Sequence, residues 1–189
     1  MRFNRAPRVS WAHRFAIFVA VIGLLGSIAR TSAETLTLRE YEIKAAYLYN
    51  FMKYIDWPPQ ALPANSQTIT IGVIGQNPFG PALATLNGKV VKDRKVVVKE
   101  AVAVKDLPSC QMVFISASET GRLQEILNLL KDTKVLTVSE VEGFAAKGGI
   151  INFIEERNKV RFEINTEAAR RTGLTISSEL LKLAKVVKS

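Results

Sequence analysis

Apolar residues recur at three- and four-residue steps from Leu38 through Tyr41, Ala45, Leu48 and Met52 to Ile55. That spacing predicts an amphipathic helix over 37–56. Thr37, with Glu40 three residues on, offers a capping box. Trp57-Pro58-Pro59 stops the helix, because the residue before a proline is pushed out of the α region and proline cannot continue the hydrogen-bond ladder. A second apolar set, Ile43, Tyr47, Phe51 and Tyr54, lies off the first stripe. So wide an apolar surface is either buried on two sides or meets a partner.

Downstream the period changes. Thr68 to Gly75 reads as a buried strand, and a glycine-bounded turn, Gly75 to Gly80, leads into a short helix through Leu86 with Pro78 in its first turn. Val96 to Val98, Met112 to Ser116 and Val135 to Val138 read as further strands. Ser118 to Leu130 reads as a helix capped by Ser118, with Leu123, Ile126, Leu127 and Leu130 on one face. Gly143 to Lys147 reads as a helical turn closed by Gly148-Gly149. Ile150 to Glu155 and Lys159 to Asn165 alternate as a hairpin about Arg157-Asn158. Thr166 caps a short helix to Thr172, and a last helix runs from about Ser178 to Val187, burying Leu180, Leu181, Ala184 and Val187 and ending with Lys185 and Lys188 at the negative end of its dipole. Strands separated by helices argue for parallel pairing, with the hairpin adding an antiparallel part. The expected fold is α/β: a three-layer sandwich on a mixed, mainly parallel sheet, ending in an antiparallel hairpin.

The first residues carry a different signal. Arg2, Arg5, Arg8 and Arg14 precede an unbroken apolar run from Phe15 to Ala29, and Thr31 and Ala33 are the small residues that a signal peptidase reads. The run is shorter than the roughly 20 residues that a spanning helix needs. Cleavage after Ala33 is expected, which leaves a single domain over 34–189; an uncleaved anchor is the alternative. Removing 33 residues takes away five arginines and no acid, so 156 residues remain with a net charge of +4 rather than the +9 of the whole chain. That mild excess does not call for nucleic acid. The basic run from Lys89 to Lys99 is interleaved with valine and reads as a solvated face.

Beyond the leader there is no histidine, and Cys110 is the only cysteine. Ser-His-Asp and Cys-His catalysis both require an imidazole, and zinc sites draw mainly on cysteine and histidine. No cofactor or metal site is expected. Cys110 cannot form an intrachain disulfide; beside Met112-Val113-Phe114-Ile115 it reads as a buried small hydrophobe. Paired carboxylates at Glu155 and Glu156 are the remaining route to hydrolysis, but neighbours on a strand diverge to opposite faces. The Gly75 to Gly80 turn suggests an anion cradle, yet it matches neither the P-loop nor the dinucleotide fingerprint.

Three stretches together resemble the YfiR-like family of periplasmic proteins. They are Tyr41 to Pro58; Ser109 to Ser116 with the helix and strand that follow, to Ser139; and Gly143 to Phe153 with Val160 to Asn165 and Leu174 to Ala184. The resemblance implies a non-enzymatic periplasmic repressor. Such a protein binds the periplasmic sensor region of an inner-membrane diguanylate cyclase, lowers cyclic di-GMP and restrains biofilm formation. It also implies a homodimer, and an outer-membrane partner that can sequester it. Lys44, Asn50, Trp57, Gly149 and Arg161 match motif positions by that resemblance. Lys44, Tyr47, Asn50, Phe51, Trp57 and Arg161 are the candidate interaction or motif residues. Each has a structural reading too: Trp57 plugging the end of the sheet, Gly149 supplying an unusual backbone angle, Arg161 pairing with Glu163 or a neighbouring strand. A small-ligand sensor built on the Gly75 turn is the alternative function.

Mass spectrometry of the exported protein is expected to show a chain that starts at Glu34. Retention of residues 1–33 would identify an anchor instead.

Overall fold

In the computed structural model, which describes residues 36–187 apart from residue 101, alternating side chains divide between two apolar layers. Met112 and Phe114 enter one core, whereas Val113 and Ile115 enter the other. A strand buried on both faces must sit inside a sheet covered on both sides. The elements are helix α1 (described over 36–54), β1 (Ile55–Asp56), β2 (Thr68–Ile74), α2 (Pro81–Ala84), β3 (Val90–Val91), β4 (Arg94–Lys99), β5 (Met112–Ile115), α3 (Leu123–Leu130), β6 (Leu136–Ser139), β7 (Ile151–Glu156), β8 (Lys159–Asn165), α4 (Thr166–Arg171), β9 (Thr175–Ile176), α5 (Ser178–Leu183) and β10 (Lys185–Val187). Short 3-10 segments, Val104–Ser109 and Ala117–Arg122, flank β5.

Eight strands form one sheet in the order β10-β8-β7-β6-β5-β2-β4-β3. The pairs β10/β8, β2/β4, β2/β5, β5/β6 and β6/β7 are parallel, and β3/β4 and β7/β8 are antiparallel. The α/β fold with a mixed, mainly parallel sheet is therefore as expected. Helices α1, α2, α4 and α5 contribute Leu48, Leu83, Ala168 and Leu180 to the first core. Helix α3 and Phe144 build the second core. The described residues from Glu40 onward form one compact unit. The leader, its cleavage point and Lys188 lie outside the described residues.

Several elements depart from the periodic reading. Helix α1 is already under way at residue 36, so Thr37 is not its cap, and it ends at Tyr54. Ile55 and Asp56 pair instead with Ile176 and Thr175 as a separate two-stranded sheet. Pro81, not Pro78, occupies the first turn of α2, behind Gly80. The segment before α3 is 3-10, because apolar spacing resumes only at Leu123; its cap is Ser116, which accepts from the Ser118 amide. Asn165 rather than Thr166 caps α4, accepting from the Ala168 amide at 2.9 Å. Gly143 to Lys147 does make the expected helical turn, its Lys147 amide donating to the Gly143 carbonyl at 3.0 Å. The expected last helix stops at Leu183, and Lys185–Val187 becomes a strand against β8. The unpaired edge of β8 offers backbone partners that three more residues of helix would leave unmet. Leu180 is buried, but Leu181, Ala184 and Val187 are only half-buried.

Two turns use left-handed residues. Arg157 (φ 52°) and Asn158 (φ 58°) close the β7–β8 hairpin as expected, and Lys92 (φ 50°) and Asp93 (φ 63°) close β3–β4. Positive φ at both central positions matches the right-handed twist of a two-residue hairpin. Lys92 is held there by donating to the Ile55 carbonyl at 2.6 Å and by its ion pair with Asp56.

Gly149 is constrained by space, not by backbone angle: the positive φ belongs to Gly148 (101°), and a Cβ on Gly149 would overlap the ring of Phe144. Gly149→Ala is expected to cost about 2 kcal/mol, the scale of overpacking in a dense core. Gly121→Ala, where a Cβ meets open space, is expected to leave stability unchanged. Urea midpoints of the two variants check this.

Candidate functional site

Helix α1 carries most of the candidate residues, and the sheet decides which of them remain accessible. Phe51 is fully buried; its ring lies 5.1 Å from Phe162 and 5.7 Å from Phe153 between centroids. That burial makes Phe51 a core residue and removes it from any surface the folded chain offers. Tyr47 is half-buried beside it, edge-on to Phe162 at 5.3 Å. Asn50 is half-buried as well. Ile43 and Tyr54, 48% and 37% exposed, continue the same line along the helix. The wide apolar surface thus resolves into a buried face on the sheet and a narrow outer stripe of Ile43, Tyr47, Asn50 and Tyr54.

Lys44 is 6% exposed, which for a lysine requires compensation. Its Nζ lies 2.5 Å from Glu40 and 2.6 Å from Glu140, the residue that follows β6. The Tyr41 hydroxyl donates to the other Glu140 oxygen at 3.2 Å, and the Lys44 ammonium stands 4.6 Å from the Tyr41 ring centroid. Tyr41 also packs edge-on to Phe79 of the glycine turn at 5.5 Å. Burial, and then the Glu140 charge and hydrogen bond, push the Tyr41 phenol above its ordinary value. Sequence reading selected Lys44 but missed Glu140 and Tyr41 as its partners. Residues 96 positions apart leave no periodic trace of such a pair.

Trp57 is 8% exposed, and its Nε1 donates to the Gln111 carbonyl at 2.9 Å, at the start of β5. The Gln111 side chain accepts from the Thr70 amide at 2.8 Å and donates to the Ala61 carbonyl at 3.0 Å. Trp57 and Gln111 therefore fasten the chain leaving α1 to one end of the sheet, as the structural reading of Trp57 expected. Arg161 is exposed on β8, opposite Ile154. Glu163 does not pair with it; Lys185 of β10 takes that carboxylate at 2.9 Å. The structure thus brings Lys44, Tyr47, Asn50 and Phe51 onto one helix and leaves Trp57 and Arg161 apart from one another.

The glycine turn is occupied by the protein's own side chains. Ser118 Oγ accepts from the Gln76 amide at 2.9 Å, and Ser118 and Glu119 pack against Gly75, whose φ is 86°. A carboxylate at that position opposes an anionic ligand. Glu155 and Glu156 are exposed at the end of β7, opposite Val160 and Lys159. Cys110 is 2% exposed against Gly72, and burial raises its thiol pKa. Among the described residues no three histidine, cysteine or acidic side chains come together as a metal site, and no helix is long and apolar enough to cross a membrane.

Residues 41–185 match the model of the YfiR/HmsC-like family. The chain belongs to this family. Its members are regulatory rather than catalytic proteins of the periplasm, acting with partner proteins in signalling. Among solved structures, the chain is similar to a conserved domain protein of Vibrio cholerae O1 biovar El Tor, at 14% identity and a TM-score of 0.44, over 69% of this chain and 57% of that one. It is also similar to an ABC domain in complex with L-Trp from Streptococcus pneumoniae, at 12% identity and a TM-score of 0.44, over 68% and 57%. The chain thus spans just over half the length of each of these two structures.

Removing Lys44 leaves Glu140 without its cation in a largely buried position. Lys44→Met is expected to cost about 3 kcal/mol, the scale for breaking a buried pair, and Glu140→Gln in the same chain is expected to restore part of it. Chemical denaturation of the two single variants and the double variant checks the coupling. The raised Tyr41 value gives stability that is fully present below the ordinary tyrosine pKa of about 10 and is lost as pH rises beyond it. Between pH 9 and 11 the wild type is therefore expected to lose more stability than Tyr41→Phe, as read by thermal melting at about half-unit pH steps.

Proposed function

We propose that this chain is an exported regulator that represses an inner-membrane diguanylate cyclase by binding its periplasmic sensor region. The observation that carries this reading is membership of the YfiR/HmsC-like family across residues 41–185. On this reading residues 1–33 are the cleaved leader and 34–189 the working domain. The protein acts as a homodimer, and an outer-membrane partner sequesters it when repression is lifted. A binding partner changes a two-state equilibrium only by favouring one state. Repression then follows from tighter binding to the inactive cyclase, and release raises cyclic di-GMP and promotes biofilm formation.

The side chains available for binding are those the core does not consume. Tyr47 and Asn50 retain partial exposure on the outer stripe of α1, and Arg161 is exposed on β8. Lys44, Phe51 and Trp57 act indirectly, by holding α1 against the sheet. Because Cys110 is a lone, buried cysteine, repression does not depend on an intrachain disulfide.

Intracellular cyclic di-GMP is expected to rise on deletion of the gene. It is expected to return to the original level with a gene copy that encodes residues 1–33, and to stay high with a copy that lacks them. Unchanged cyclic di-GMP across growth conditions would remove the cyclase from this reading.

A further inference from the structure

The outer end of the sheet carries a charge that the fold does not use. Across the β3–β4 hairpin lie Lys89, Lys92, Arg94, Lys95 and Lys99 against the single acid Asp93. Two of these cations are consumed internally. Lys92 binds Asp56 and the Ile55 carbonyl, and Arg94 donates to the carbonyls of Lys92 at 2.8 Å and Pro63 at 3.0 Å. Lys89 differs. Its ammonium lies 5.3 Å from the ring centroid of Tyr49, and that of Lys53 lies 5.7 Å from the same ring. Neither makes an ion pair among the described residues. Both residues are exposed, and Tyr49 is half-buried between them. Val90, 57% exposed, stands next to Lys89 and opposite Lys95 in the hairpin. Two exposed ammoniums thus stand near one ring beside an exposed valine, and neither has a carboxylate among the described residues to balance it.

We propose that the patch formed by Tyr49, Lys53, Lys89 and Val90 is a docking site for an acidic segment of a partner protein. The proposal rests on the binding-regulator reading and gives that partner a chemistry. Carboxylates of the segment sit beside the Lys53 and Lys89 ammoniums, and an apolar side chain between them covers Val90. Charge complementarity selects this occupant. A second copy presenting the same patch would place like charges face to face. Docking is through side chains rather than strand addition, because β3 has two residues and the Tyr49 hydroxyl already donates to the Val90 carbonyl at 3.1 Å. A membrane surface would need more lysines than this patch gathers, since each contributes only about 1 kcal/mol.

The test uses the purified protein, with a soluble peptide of alternating glutamate and valine and a control peptide carrying lysine for glutamate. Binding is followed by amide chemical shifts. The acidic peptide is expected to shift Tyr49, Lys53, Lys89 and Val90, and the control is not. Lys53→Glu with Lys89→Glu is expected to weaken binding by about tenfold or more, and added salt to weaken it further. Equal binding of the two peptides, shifts elsewhere, or full affinity in the doubly reversed variant would overturn the site. So would binding to phosphatidylglycerol vesicles in place of the peptide. A parallel arm uses the periplasmic region of the cyclase. If it binds and charge reversal has no effect, the patch fails while the regulator reading stands. If it does not bind but the acidic peptide does, the patch stands and the cyclase reading fails.

Discussion

Helix α1 must give its apolar face to the sheet, and the aromatic contact of Phe51 with Phe153 and Phe162 is where it does so. Those three rings join an early helix to the late β7–β8 hairpin, about a hundred residues away. Buried aromatic pairs add roughly 0.5–1.5 kcal/mol beyond their area. The rest of the first core, from Leu48 to Leu180, is built around the helix so placed. Lys44 with Glu140 then fixes the middle of α1, and Trp57 with Gln111 fixes the chain that leaves it. A buried ion pair adds little net stability over an apolar pair of the same shape, but it penalises any other register of the helix, since a slip would strand a charge.

This arrangement separates residues that look alike in the chain. Lys44 and Lys53 belong to the same helix, yet one is enclosed by two carboxylates and the other stands in water beside a tyrosine. Tyr41 and Tyr49 differ in the same way: one hydroxyl serves a buried carboxylate, the other a carbonyl at the sheet edge. The fold consumes polar groups near the ends of β5 and β6 and, through Lys92 and Arg94, at the β3–β4 turn. Those left over lie on the outer stripe of α1 and at the β3 edge. The core contacts serve the fold, and these unspent side chains are the ones it leaves facing solvent.

The strands β2, β5, β6, β7 and β8 were legible because alternation and continuous apolar runs follow directly from burial on one or two faces. Helix α3 was legible from Leu123 onward for the same reason. The hairpin at Lys92-Asp93 was not, because Asp93 tolerates the left-handed region but Lys92 does not favour it; Lys92 is held by Asp56 and Ile55, far earlier in the chain. Lys185–Val187 read as helix because its spacing continued that of α5, and only the open edge of β8 made it a strand. Gly149 was recognised as special for the wrong reason, since a ring packed against it is not visible in sequence.

By itself, then, the amino-acid sequence determined the α/β class, the positions of most strands, the leader pattern, the lack of histidine and paired cysteine beyond it, and the family. These are properties of composition, local period and residue order. Tertiary structure alone decided which side chains on α1 are core and which are surface, and which lysines have carboxylate partners. It also decided where helix gives way to strand at the C-terminal end. Each of those outcomes depends on groups brought together from distant parts of the chain, and their energies exist only once the sheet has formed.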